Sequence, residues 1–383
     1  MSRRRYSCWS ALWALIQIAV GVVLLLMVAR WRAGVELPAL VPTAAAASEL
    51  ALAETWATTP ATYTAPADFV TSGAEPSFLA TPAATSTLPS DAVVPVAAPP
   101  PTPVPTPFVA PAYLQRAVTV QQVEQPPLTA ECGEQGTLFR SRYPSTVFGP
   151  WRSYHAYLPP CYGQDGRVYP VLYLLHGSGW TDAQWVELGI AQHIDAGIQE
   201  GRYAPFVAIM PNDSDINDRT SGGPRSVEGV FLENLLPYVE ANFCAWPSRE
   251  GRALAGISRG GYWALMLAFR HTDLFSAVSG HSSQLRPEVD PAEYNPLASY
   301  TTADLSDLSI WLDWGEYDFL RAGQVRLHEE LMTASIPHQA TVNPGGHSQS
   351  YWYANARSYL DWHAQHWPVA REAYPVCEEN RLH

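Results

Sequence analysis

An α/β fold, with a mostly parallel central sheet and helices on both faces, is predicted for residues 126–383 of this 383-residue chain by three observations. Short apolar runs rich in β-forming residues recur through the region. Helix-like stretches separate them, and one run ends in a Gly-x-Ser-x-Gly turn that leads into a helix. The runs are Tyr169–His176, Ala204–Met210, Arg252–Ile257, Leu274–Ser279 and Leu308–Trp314. The helix-like stretches are 183–200, 226–243, 260–271, 321–335 and 350–366. Strands that alternate with helices imply parallel pairing, because each crossover helix covers a face of the sheet.

Two regions precede this one. In residues 1–32, Arg3, Arg4 and Arg5 stand before an uncharged run from Trp9 to Ala29, closed by Arg30 and Arg32. A helix of about 20 apolar residues spans a bilayer core, whereas a cleavable signal has an apolar core of about 7–15. The run therefore predicts a transmembrane signal anchor with a cytoplasmic N-terminus. Cleavage near Ala44–Ala47 is the alternative and would release the domain. Residues 33–125 are rich in Pro, Ala and Thr, and Pro99–Pro107 predicts extended polyproline II. That composition buries too little apolar surface to offset ordering entropy, so a disordered linker is expected, with a coiled reach on the order of 50 Å.

Composition excludes several functions. The net charge is −13, which opposes binding to a phosphate backbone, so no nucleic-acid partner is expected. All 23 basic residues are Arg. Without lysine there is no Schiff base, no Ser–Lys dyad and no phosphate loop ending in Gly-Lys. Cys132, Cys161, Cys244 and Cys377 lie in the globular region, and Cys8 lies beside the apolar run. Four cysteines in an exported domain imply two disulfides, with three pairings open. The pairing Cys132–Cys161 and Cys244–Cys377 is expected, since it would pin the first segment and the C-terminal tail. No cysteine or histidine spacing fits zinc, and no metal or cofactor is expected. Asp213-Ser214-Asp215-Ile216-Asn217-Asp218 begins like a calcium loop. It lacks the required glycine, and Pro224 stands where a glutamate should, so it reads as a polar loop.

The chemistry centres on Gly256-Ile257-Ser258-Arg259-Gly260, followed by Gly261. A strand-like Ala253-Leu254-Ala255 precedes it and a helix-like Tyr262–Arg270 follows, the context a nucleophile elbow requires. So tight a turn needs minimal flanking side chains, hence Gly256 and Gly260. Ser258 would sit at a helix N-terminus, where backbone N–H groups favour an oxyanion. Leu174-Leu175-His176-Gly177-Ser178-Gly179 ends an earlier run. The loop after that strand supplies a second oxyanion N–H in α/β-hydrolases, so the backbone N–H groups of Ser178 and Arg259 are the expected pair. His176 is expected to order this loop rather than act as a base.

A triad on this fold runs Ser, acid, His along the chain. Asp318, in a turn after the Leu308–Trp314 run, is the favoured acid, with Asp313 and Glu316 as alternatives. His347, in Asn343-Pro344-Gly345-Gly346-His347-Ser348, is the favoured base. His338 should begin the preceding strand. His328, His363 and His366 lie on helix-like stretches, in packed or solvated roles. A serine hydroxyl is a weak nucleophile until a base takes its proton and an acid orients that base. Trp180, Trp185 and the 213–225 loop are expected to line the cleft.

These residues resemble the esterase family that includes esterase D, feruloyl and acetyl-xylan esterases, enterochelin esterases and mycolyltransferases. The resemblance runs from about Tyr154 to Trp367. It is carried by Tyr157-Leu158-Pro159-Pro160, Tyr169–Gly179, Met210-Pro211-Asn212, Phe231–Val239, the elbow, Gly315–Leu320 and Pro344–His347. It implies the α/β-hydrolase fold, catalytic Ser258, Asp318 and His347, and oxyanion amides at Ser178 and Arg259. The leading expectation is an extracytoplasmic serine esterase working through an acyl-enzyme on acylated glycans or another small ester. An acyltransferase on the same triad is the second reading. A non-catalytic envelope-binding module is the third, and an intact Ser, Asp and His argue against it.

Overall fold

The computed structural model describes residues 112–115, 118–287 and 289–377. The expected anchor and most of the proline-rich stretch lie outside the described residues. Among the described residues, no helix is long and apolar enough to cross a membrane.

Nine strands are present among the described residues: β1 Val120–Gln122, β2 Thr137–Pro144, β3 Trp151–Leu158, β4 Val171–Leu175, β5 Val207–Pro211, β6 Arg252–Ile257, β7 Ala277–His281, β8 Ser309–Gly315 and β9 Gln339–Asn343. They form one sheet in the order β1-β2-β3-β5-β4-β6-β7-β8-β9. The run from β5 through β4 and β6 to β9 is parallel, and β3 is antiparallel to both β2 and β5. The expected parallel sheet is therefore extended at one side by a mixed edge. The first strand also falls inside the stretch read as linker, because Val118 and Val120 pack against the core.

The central strands are buried along their whole length. Parallel strands covered on both faces read as continuous apolar runs, which is why β4 to β8 were visible in the sequence. Successive side chains enter opposite layers. Val171, Tyr173, Leu175 and Leu254 join one core; Leu172, Leu174, Ala253, Ala255 and Ile257 join the other.

The main helices are α1 Gln184–Glu187, α2 Ile190–Gln199, α3 from Val227–Val230 through a π turn at Phe231–Leu235 to Leu236–Asn242, α4 Arg259–Arg270, α5 Pro296–Ser299, α6 Arg321–Thr333 and α7 Gln349–Ala364. α3 and α4 cover the first face, and α2 and α7 the second. The single stretch expected over 183–200 is broken at Gly189, which has φ 74°. The expected disulfides form, Cys132–Cys161 and Cys244–Cys377.

Glu228 ties α3 to the end of α4. Its carboxylate accepts hydrogen bonds from Arg270 Nε (2.9 Å) and His271 Nε2 (2.8 Å) and from the Gly223 N–H. Burial opposes ionisation, but bonds from His271, Arg270 and Gly223 prevail and hold the pKa down, from an ordinary 4.5 to about 2. A depressed folded-state pKa adds stability that is complete above the unfolded value and is lost as pH falls through the folded one. Glu228→Gln is therefore expected to lower the melting temperature at pH 7, by an amount that shrinks between pH 4.5 and about 2. Thermal unfolding at pH 7 and pH 3 checks this.

Candidate active site

The elbow forms where the sequence placed it. Ser258 joins β6 to α4 with φ 56° and ψ −118°, a region that non-glycine residues rarely enter. Its N–H donates to His281 O (2.9 Å), which fastens the strained residue to the end of β7. A Cβ on Gly256 would lie 2.0 Å from Gly260 O, and one on Gly260 would lie 2.2 Å from Leu175 O. Both glycines are required by close backbone approach.

Asp318 and His347 meet Ser258 from two loops. His347 Nδ1 donates to Asp318 Oδ2 at 3.0 Å and Oδ1 at 3.1 Å. Its Nε2 is then free to accept from Ser258 Oγ, 3.0 Å away. The His347 ring packs between Phe319 (4.6 Å between centroids) and Trp352 (5.0 Å). Burial opposes ionisation of Asp318. Hydrogen bonds from His347, Ser282 and the Leu320 N–H outweigh it and hold the carboxyl below the usual range. The group is therefore an anion at neutral pH, able to fix the imidazole tautomer.

The alternatives sit elsewhere. Asp313 is fully buried in β8, bonded to His281 Nδ1 (3.1 Å) and Tyr351 OH (2.6 Å). Glu316 is exposed. His328 and His338 bond each other (2.8 Å), with His338 just before β9. His363 is buried against Ser279 Oγ (2.8 Å), and His366 packs edge-on against Trp362.

His176 orders the neighbouring loop, as expected. Its Nε2 accepts from the Asp213 N–H (3.0 Å), which leaves Nδ1–H to donate to Gly177 O (2.9 Å). The peptide N–H of Ser178 points opposite to that carbonyl, since a trans peptide sets the two antiparallel. A Cβ on Gly177 would lie 3.2 Å from Ser258 Cβ, so this backbone abuts the nucleophile position. Among the described residues, neither the Ser178 nor the Arg259 N–H has a protein acceptor.

Beside these groups lies a cleft of about 330 Å³. Trp180 lines it as expected, together with Ser178, Gln284, Phe319, Leu320 and Trp352. Two expectations fail. Trp185 is buried under β4, with its Nε1 donating to Leu175 O (3.1 Å), so it packs in the core. The 213–225 loop is not part of the cleft lining and supports it instead: Asp218 accepts from the Ser178 hydroxyl, and Asn217 Nδ2 donates to Gly177 O (3.4 Å). The buried Arg259 guanidinium donates to Asn217 O (2.9 Å) and Thr220 O (2.6 Å) and pairs with Asp290. Asp213 and Asp215 turn instead to Arg152. The sequence reading missed Phe319 and Trp352. Their adjacency to the favoured acid and base was the available signal.

Comparison with known proteins bears on this geometry. The family model described as "Putative esterase" matches residues 145–357. An esterase of Mycobacterium tuberculosis, Rv1288, is 30% identical over 260 residues, covering 55% of this chain and 55% of that protein. An endo-1,4-beta-xylanase/feruloyl esterase of Xylanibacter ruminicola is 30% identical over 149 residues, covering 37% of this chain and 20% of that protein. The chain thus spans about half or less of the length of these curated relatives. A solved ferulic acid esterase superposes with a TM-score of 0.56 at 27% identity, covering 61% of this chain and 99% of its own. With more than half of its length matched and a serine–histidine–aspartate cluster at the expected elbow, the chain belongs to this esterase family.

Proposed function

We propose that the chain is a serine carboxylic-ester hydrolase in which Ser258 attacks the acyl carbonyl and His347 takes its proton. Asp318 holds the imidazolium, and the N–H groups of Ser178 and Arg259 receive the oxyanion. The observation that carries the reading is the unbroken chain from Ser258 Oγ through His347 to Asp318, each link about 3 Å long. His347 then protonates the departing alcohol, and water hydrolyses the acyl-enzyme by the reverse proton path.

The substrate proposed is an ester on a glycan, with an acyl group that rests between Trp180 and Phe319. The names of the xylanase/feruloyl esterase and ferulic acid esterase relatives support an aromatic acyl group. The two disulfides and the Arg-bracketed apolar run support a membrane-anchored domain outside the cytoplasm.

The full-length protein is expected to hydrolyse p-nitrophenyl acetate and methyl ferulate, and to be degraded by protease added to intact cells. No turnover of any simple ester by the folded protein would exclude hydrolysis and leave acyl transfer to a sugar hydroxyl. Protection from protease would exclude the outside location.

A further inference from the structure

A second groove lies on the outer part of the sheet, away from the cleft. Two adjoining cavities of about 570 and 410 Å³ share Glu124, Gln125, Arg142 and Trp151. Trp151, the first residue of β3, is 57% exposed, unusual for so large an apolar ring. The Arg142 guanidinium lies over it, 5.9 Å from the ring centroid. In a chain of net charge −13, Arg142 has no carboxylate partner among the described residues. Exposed Gln122, Glu124 and Gln125 complete the wall.

The register explains this surface. Arg140 faces His155, Arg142 faces Ser153 and Pro144 faces Trp151, so these side chains share one face of the β2–β3 pair. Phe139, Tyr143 and Tyr154 project from the opposite face into the core. Leu138, His155 and Tyr157 at the inner end of the first face are buried as well, so only its outer end, with Arg142, Pro144 and Trp151, is exposed. Gln122 of β1 and the following Glu124 and Gln125 flank it.

We infer that this groove binds the glycan chain of an extended substrate, at a distance from the ester being cleaved. An indole face suits the C–H face of a sugar ring. Planar amide, carboxylate and guanidinium groups around it suit vicinal hydroxyls, which accept and donate side by side. The mixed charge of the wall suits a largely neutral polymer better than a polyanion.

Position supports the same assignment. β3 runs antiparallel to β5, with Tyr154 opposite Pro211, so Trp151 lies at the sheet edge that carries Ser258. Three strand spacings separate β3 from β6, about 14 Å. The groove and the cleft share no lining residue, and one ion pair stands between them. Arg140 Nε donates to buried Asp182 (2.7 Å), two residues beyond Trp180, which lines the cleft. A polymer lying from Trp151 past Arg140 and Trp180 would deliver a substituent to Ser258.

This inference rests on the glycan-ester reading, and its test separates the two. Full-length Trp151→Ala is expected to lose about tenfold in kcat/KM on feruloylated arabinoxylan and to stay within about twofold of wild type on methyl ferulate. Methyl ferulate activity also reports folding. Full-length Ser258→Ala should be retarded by de-esterified arabinoxylan in affinity electrophoresis, and Ser258→Ala with Trp151→Ala should not. Unchanged polymer kinetics, equal losses on both esters, or no retardation of Ser258→Ala would each overturn the groove assignment while leaving the esterase reading intact.

Discussion

Replacing Ser258 by alanine is expected to lower kcat/KM on p-nitrophenyl acetate by at least about 10³-fold, with no loss of folded protein. In the proposed mechanism the hydroxyl is the atom that bonds to the acyl carbon, so nothing else in the cleft substitutes for it. Alanine keeps the Cβ and tolerates the same φ of 56° no worse than serine does, so the β6–α4 elbow should persist. His347→Ala should lose a similar factor, because among the described residues Ser258 Oγ bonds to no other base. The double variant should lose little more than either single one, since the pair acts as a unit. Additive losses would show that the two residues work separately. Steady-state kinetics on the three variants, with circular dichroism as a fold control, settles the point.

Gly260→Ala is expected to destabilise the fold more than Ser258→Ala or His347→Ala does. Its Cβ would fall 2.2 Å from the carbonyl oxygen of Leu175, in the middle of the sheet. That oxygen belongs to backbone, and moving it means parting β4 from its neighbour β6. Overpacking a rigid core costs about 1–3 kcal/mol and more where backbone must move. The variant should therefore unfold at markedly lower temperature and lose activity in proportion to folded fraction. Gly256→Ala, with its contact 2.0 Å from Gly260 O, should behave alike. Gly179→Ala is the contrast: it keeps open space around the Cβ and suffers only from its φ of 73°. Calorimetric melting of the three variants tests the ranking.

The parts of the fold that were legible in the sequence share a cause. β4 to β8 are buried on both faces, so each is a continuous apolar run. The elbow demands two glycines at fixed offsets, so steric necessity wrote it into the sequence. Asp318 and His347 were legible because the order of the triad and the turn chemistry around them narrowed the choice. Asp313 could be set aside only by seeing it inside β8, bonded to His281 and Tyr351.

The edge hairpin was missed for the opposite reason. β2 and β3 interleave Arg140, Arg152 and His155 with apolar residues, which reads as a polar stretch. In the structure these side chains meet Asp182, Asp213 and Asp215. Those partners lie far along the chain, so no local pattern announces them. Trp185 and the 213–225 loop failed likewise. Their positions follow from Leu175 O and from the Arg259 guanidinium, contacts that only the folded chain creates.

The central claim is that Ser258 is a nucleophile activated by His347. Treating the folded protein with a fluorophosphonate and mapping the adduct by peptide mass spectrometry tests it most directly, because the reagent bonds only to an activated hydroxyl. The account predicts one adduct, on the peptide carrying Ser258, absent from Ser258→Ala and formed far more slowly in His347→Ala. An unmodified wild type, or an adduct on another serine such as Ser282, would contradict it.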